Sequence, residues 1–355
     1  MPPRPGQPGP GFAPGQPPRR RRRRAPLIIG AAVVALALIA IPVAVHLVRA
    51  ADAQQGYQRT TPPLRPGEPI TRAKLDQVSP QDFLWDQLQR QMMQPISEVD
   101  DAPFVDKKSY TAHDDYYVHQ TVIDHTSGRS AKDGRFSSAE TSYQKGDKPS
   151  VSRCIGAKYY FLSTPYGKSH PSWRYVPGNN DACELKHQWT ATDGIVPSGL
   201  NQAQSAQELS TLREKYKGFA NAGKPTLIKA SGQTYIRQIV DYQPLKLADG
   251  AYEGSQIFIW AFQSTGLDWE AWPFINEAAG GAGQHIVYYI DPKTLLPVAS
   301  KIQDTPALDD TGHPERTDLS YHVINYRFPT RFHPLTLKSE QPVKLDLPQG
   351  WAIPK

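Results

Sequence analysis

Six consecutive arginines, Arg19, Arg20, Arg21, Arg22, Arg23 and Arg24, abut a stretch from Ala25 to Val48 that contains no charged side chain. A helix rises about 1.5 Å per residue, so about 20 apolar residues cross a ~30 Å hydrocarbon core. Arginine-rich flanks stay on the cytoplasmic side. The pattern predicts a transmembrane signal-anchor over 25–48, with everything after Arg49 outside the cytoplasm. Any folded domain must then be built beyond residue 49, in a compartment where cysteines oxidise. The apolar core of a cleavable signal peptide is shorter, about 7–15 residues. Ala51-Asp52-Ala53 nevertheless has the small-x-small form of a cleavage site, so secretion by cleavage near Ala53 stands as the alternative. No cysteine lies near the end of the segment, which excludes a lipid-modified cysteine anchor.

Residues 1–18 are almost entirely Pro, Gly and Gln, a composition that buries no core. Residues 1–24 are expected to form a disordered cytoplasmic tail. The six arginines read as a topology signal that binds anionic headgroups, with the lipid bilayer as partner through 25–48. A nucleic-acid partner is not expected. Eight of the 40 Lys and Arg residues fall in residues 1–50, where there is no acid. The remaining 32 face 34 acidic residues, so the outer part has no general attraction for polyanions.

The chain holds two cysteines, Cys154 and Cys183, both beyond the anchor. An oxidising compartment permits a bridge between them, and no other pairing exists. Neither belongs to a C-x-x-C pair, which argues against zinc.

Residues 49–70 are Pro/Gln/Thr-rich and predict a flexible stalk; residues 71–355 then form one extracytoplasmic domain. A helix is expected from about Pro80 to Met93: Ser79 caps it, Pro80 suits its first position, and Leu84, Leu88 and Met92 recur every four residues. A second is expected over Gln202 to Lys217, with Leu209, Leu212 and Tyr216 on one face and Gly218 as a stop. Asp268 to Ala279 suggests a short third. Strands are expected over Tyr116–Asp124, Arg135–Tyr143, Ala157–Leu162, Pro225–Ala230, Thr234–Tyr242, Ser255–Gln263, His285–Ile290, Leu296–Gln303 and Asp318–Phe328, with a final edge near Val343–Leu347. The Pro-, Gly- and Asn-rich run Ser163 to Asp181 reads as a long loop. Neighbouring strands joined by short loops indicate an antiparallel α+β fold and not βαβ repeats. About nine to eleven strands and two or three helices are counted.

The closing section His285-Ile286-Val287-Tyr288-Tyr289-Ile290-Asp291-Pro292-Lys293-Thr294-Leu295-Leu296-Pro297-Val298 is followed by a strand and a polar loop. Leu319 to Tyr326 and a terminal Val343 to Pro348 complete it. This succession resembles the end of the LolA-like lipoprotein-carrier superfamily, and the opening amphipathic helix is similar to that plan. The resemblance implies a curved antiparallel sheet, a half-barrel, with helices on its concave face. It further implies a cavity for acyl chains or another hydrophobic group, or a protein partner in sensor relatives. This chain departs from the plan by its anchor, its tethered 154–183 loop and a polar middle, and a retained anchor forbids shuttling between membranes.

Chemistry-bearing residues are few. Phe258, Trp260 and Phe262 alternate with Ile257, Ile259 and Ala261, and Trp269, Trp272 and Phe274 follow. Read as a strand, this run turns three rings to one face. The six rings either line a hydrophobic cavity or fill a core. His113, Asp114, Asp115, His119, Asp124 and His125 crowd the first strand, but His119 and His125 stand about 20 Å apart along it, too far for one ion. No metal or cofactor is expected. G-x-S-x-G, H-E-x-x-H and phosphate-loop motifs are absent from the sequence, and Leu308 to Gly312 lacks the spacing of a calcium loop. Glu270 and Glu277 flank the tryptophans and leave a cell-envelope hydrolase as a remote alternative. The expected function is a non-enzymatic, membrane-anchored binding protein for a lipid, acyl chain or other hydrophobic ligand. The alternative is an interaction or sensor module for another envelope protein.

Overall fold

The computed structural model of the chain describes residues 59–103, 116–125, 136–143, 150–165, 168–183, 196–230, 232–268, 282–314 and 321–339. The expected tail, the 25–48 segment and the final Val343–Leu347 edge lie outside them. So do all six arginines of the expected topology signal, Arg19, Arg20, Arg21, Arg22, Arg23 and Arg24. No helix among the described residues is long and apolar enough to cross a membrane.

Fourteen strands are described. They are β1 (Ile96–Pro103), β2 (Tyr116–Asp124), β3 (Phe136–Tyr143), β4 (Ser150–Ile155), β5 (Lys158–Ser163), β6 (Ser172–Tyr175) and β7 (Ala220–Ala222). Then come β8 (Thr226–Ala230), β9 (Gln233–Tyr242), β10 (Leu245–Lys246), β11 (Tyr252–Glu253), β12 (Gln284–Ile290), β13 (Pro297–Asp304) and β14 (Tyr321–Arg327). Twelve of them form one sheet in the order β6-β5-β4-β3-β2-β1-β14-β13-β12-β9-β7, with β8 also on β9. Every pairing is antiparallel. The sheet is open, as in a half-barrel; β6 ends one side, and β7 and β8 share the flank of β9 at the other. Two meanders, β1–β6 and β12–β14, meet where β1 pairs β14.

Four helices accompany the sheet: α1 (Arg72–Gln77), α2 (Pro80–Met92), α3 (Gln202–Ser210) and α4 (Gln256–Gln263). One stripe of alternate residues faces them: Ile236, Val240 and Tyr242 on β9, Ile286, Tyr288 and Ile290 on β12, Ile302, Ile324, Tyr326 and Val99. These pack in one cluster with Leu84, Leu88 and Met92 of α2, Leu209 of α3 and Ile257 to Phe262 of α4, excepting the half-buried Trp260 at its margin. The expected α2 is formed nearly as read, with the Ser79 side chain accepting from the Asp82 amide.

Three expectations are corrected. Ser255–Gln263 is not a strand: Gln256–Gln263 is helical. Its run of Ile, Phe, Ile, Trp, Ala and Phe is apolar at every position, so its side chains carry no period, and burial on all sides suits a helix as well as a strand. The supposed loop 163–181 contains strand β6 and most of a 3-10 turn over Pro177–Cys183. The supposed stalk is not free as far as residue 70. Thr60 and Thr61 each donate backbone and hydroxyl hydrogen bonds to the buried Asp82 carboxylate, at 2.9–3.0 Å. Arg59 pairs with Asp86, Leu64 is buried, and Arg90 donates to the Leu64 carbonyl at 2.6 Å. Residues 59–70 thus form a strap tied to α2.

Candidate functional site

The helix layer is where an apolar ligand has to be tested for, because it alone among the described residues brings the ring-bearing helix α4 against the sheet. Phe258 meets Phe219 and Tyr242 at centroid distances of 5.1 and 5.0 Å, and Phe219 meets Tyr242 at 5.2 Å. These are direct edge and tilted contacts of the kind that stabilise cores. Phe258 and Phe262 are buried. Trp260 is half-buried and lies 6.2 Å from the Tyr216 ring. Phe258 therefore spends its ring on neighbouring side chains, while Trp260 keeps part of its surface open at the margin of the layer. Because α4 is a helix, the three rings do not share the single face that a strand would have given them. Trp269, Trp272 and Phe274 lie outside the described residues, as do Glu270 and Glu277.

Helix α3 begins at a capping box: the Asn201 side chain accepts from the Gln204 amide, and the Gln204 side chain accepts from the Asn201 amide. It packs on α2 and α4 and runs into a π-turn over Thr211–Lys215. Its inward stripe is Ser205, Glu208, Leu209 and Leu212. Glu208 is fully buried, and among the described residues neither of its oxygens has a hydrogen-bond partner. Burial raises its pKa well above the usual carboxylate range, because desolvation disfavours the charged form. In sequence this residue looks like any solvated glutamate on a helix. No signal there separates it from Glu214, which is exposed.

The middle of the sheet carries a second set of polar groups. On the helix-side face of β14, β1, β2 and β3 stand His322, Asp101, His119 and Glu140, with His322 Nδ1 3.2 Å from Asp101 and His119 Nε2 3.6 Å from Glu140. Burial lowers the His119 pKa, while Glu140 and Asp101 act against that. On the opposite face, Arg327 bridges Glu98 at 2.8 Å and Asp100 at 3.0 Å. Burial raises the Asp100 pKa although Arg327 opposes it. Both sets straddle the β1–β14 junction. The residues of the metal reading are scattered: His119 sits in this row, Asp124 and His125 lie at the far end of β2, and His113, Asp114 and Asp115 fall outside the described residues. No group of three or more His, Cys, Asp or Glu residues suited to a metal occurs among the described residues.

Cys154 on β4 and Cys183 at the end of the 3-10 turn form a disulfide, with Cα atoms 5.3 Å apart. Both are buried with Ile123 and Phe136, and Tyr159 packs beside them. The bridge ties the 3-10 turn over Pro177–Cys183 to β4 on the helix-side face of the outer strands.

No family model and no curated protein matches the chain. Solved structures do. The lipoprotein LppX of Mycobacterium tuberculosis is matched over 74% of this chain and 100% of that one, at 8% identity and a TM-score of 0.30. The LolA superfamily protein NE2245 of Nitrosomonas europaea is matched over 70% and 92%, at 10% identity and a TM-score of 0.19. In the Pseudomonas aeruginosa MucA/MucB complex, 70% of this chain aligns with 56% of the matched chain, at 9% identity and a TM-score of 0.24. The superfamily suggested by the closing strands is thus represented among the matched structures. These superpositions are loose, and the fold described above stands on this chain's own strand pairing.

Proposed function

We propose that this is a non-enzymatic binding protein of the cell envelope, held by a 25–48 anchor, that takes a lipid, acyl chain or other hydrophobic ligand within its helix layer. The observation that carries the reading is α4. This helix, apolar from Ile257 to Phe262, packs on α3 and, through Phe258, on Tyr242 of the open antiparallel sheet, and its Trp260 stays half-buried beside the Tyr216 ring. Such a layer takes apolar surface out of water at roughly 25 cal/mol per Å², whether that surface belongs to the chain or to a guest. The disulfide supports an oxidising compartment. The topology is supported by the sequence of Arg19, Arg20, Arg21, Arg22, Arg23 and Arg24 ahead of an uncharged segment. Trp269, Trp272 and Phe274, which follow α4, belong to the proposed lining together with Trp260.

Extraction of the full-length chain from membranes under mild detergent, followed by mass spectrometry of the organic phase, tests the reading. One class of acyl lipid at near-stoichiometric yield is expected, above that of an unrelated single-pass protein. Absence of any enriched lipid overturns it. A protein partner is the second reading. It is favoured by β6, whose outer edge has no strand partner among the described residues and whose Tyr175 is 44% exposed. In-cell crosslinking that returns a single stoichiometric protein from β6 supports this second reading.

A further inference from the structure

Along helix α3 and its C-terminal cap, every buried polar side chain but one has a hydrogen-bond partner among the described residues. Ser205 donates to the Gln202 carbonyl at 3.0 Å and receives the Gln89 amide at 3.4 Å. Ser210 donates to Glu214 at 3.1 Å. Thr211 bonds the Gln207 carbonyl at 3.0 Å and Ser264 at 2.8 Å. Glu208, in the midst of them, has both oxygens buried and no partner among the described residues. A buried polar group left unpaired loses its hydration with no hydrogen bond in return. Such groups are rare enough that each needs a cause, and a partner missing from the bare chain is one. The backbone adds a second sign. Three residues after Glu208 the helix widens into the π-turn, where the Tyr216 amide reaches the Thr211 carbonyl at 3.1 Å, and π-turns concentrate at functional positions.

We propose that Glu208 is the polar anchor of the ligand site, donating a hydrogen bond to the carbonyl or carboxyl oxygen of an acyl chain laid against α4. This rests on the apolar-ligand reading above and adds the head-group chemistry to it. A carboxyl buried on the inward stripe of α3 beside Leu209 and Leu212, with no hydrogen bond among the described residues, is favoured in its neutral form, which offers one donor and one acceptor. A carboxylic acid answers both members of that pair, and an ester carbonyl answers the donor. A long-chain amine would instead require a buried ion pair, whose desolvation offsets its attraction. A plain hydrocarbon leaves Glu208 as it is in the unliganded chain.

The test uses the full-length chain in nanodiscs and four photoreactive 16-carbon probes: a fatty acid, its methyl ester, a primary amine and a hydrocarbon. Labelling that excess unlabelled ligand displaces is mapped to peptides and compared among wild type, Glu208→Gln and Glu208→Leu. The acid and ester are expected to label α3 and α4 peptides at least fivefold more strongly than the amine or hydrocarbon. Glu208→Gln, which keeps a donor and an acceptor, should stay within about threefold. Glu208→Leu should lose about tenfold for acid and ester and nothing for the hydrocarbon. Equal labelling of wild type and Glu208→Leu by every probe overturns the anchor and leaves the apolar-ligand reading standing. Preference for the amine also overturns it. No displaceable labelling by any probe removes both.

Discussion

The two halves of the sheet are held by different physics. The half made of β9 and β12–β14 lies under three helices, and its inward residues join one continuous cluster with Phe219, Phe258 and the Leu-rich face of α2. The half made of β2–β6 carries serines, threonines, His119 and Glu140 on the same face, and its apolar cluster there is small: Ile123, Phe136, Cys154 and Cys183, with Tyr159 beside them. It is reinforced from outside the usual core. The disulfide tethers one face. On the other, Phe332 and Leu335 pack on Val122, Ala139 and Ile155, and Arg153 donates to the Thr336 and Ser339 carbonyls. One half excludes water by packing and the other relies on cross-links and straps. A guest that competes with side chains for apolar contact belongs with the first half.

The largest expected break is Phe258→Ala. It removes a buried ring that touches two others, and such truncations cost about 3–5 kcal/mol. Denaturant unfolding should show a drop of that size with hydrogen-exchange protection lost from both halves, because β1 and β14 couple them. If only α4 loses protection, the helix layer is not the shared core described here. The next effect is smaller and local. Replacing Cys154 and Cys183 together by Ser opens a loop with a sequence separation of 29, worth about 3.6 kcal/mol in the chain-entropy model. Exchange should rise in β4–β6 and leave β12–β14 nearly unchanged. A uniform rise across the sheet would erase the distinction between the halves.

The same contrast explains what was legible in the sequence. The half built on packing announces itself by its apolar residues: α2 by its four-residue apolar repeat and capping serine, β9 and β12 by runs rich in β-branched and aromatic side chains. β2 was also read with its observed bounds, and the disulfide was readable because only two cysteines exist. β1 was missed because Ile96-Ser-Glu-Val-Asp-Asp-Ala-Pro103 carries three acids and ends in proline. Its central place depends on partners more than 200 residues away, His322 and Arg327. β6 was missed because four residues in a Pro- and Gly-rich setting show no period. In the candidate site the rings were visible, but their arrangement was not, since an unbroken apolar run does not tell strand from helix. Glu208 was invisible for a stricter reason: burial is a property of the fold, and nothing local marks it.

The smallest effect concerns the joint between the halves. His125 follows β2, and its amide bonds the Pro95 carbonyl at 2.8 Å, just beyond α2. Gly199, on the approach to α3, crosses it so closely that a Cβ there would lie 2.2 Å from the His125 Cβ, and its φ of +85° suits glycine. Burial in this joint lowers the His125 pKa to about 4, with Asp124 opposing the shift only in part. The imidazole is neutral when folded, and the unfolded chain binds a proton below about pH 6.5. The resulting stability is present above that pH and is lost as the pH falls from about 6.5 towards 4. Between pH 7.5 and 5 the linkage amounts to about 2 kcal/mol. The pH slope of unfolding free energy should therefore flatten by about that amount in His125→Gln. His119, whose pKa burial also lowers, supplies the residual slope that remains in the variant. Equal slopes in wild type and His125→Gln would place the acid sensitivity in the polar row of the sheet and not at the joint with the helix layer.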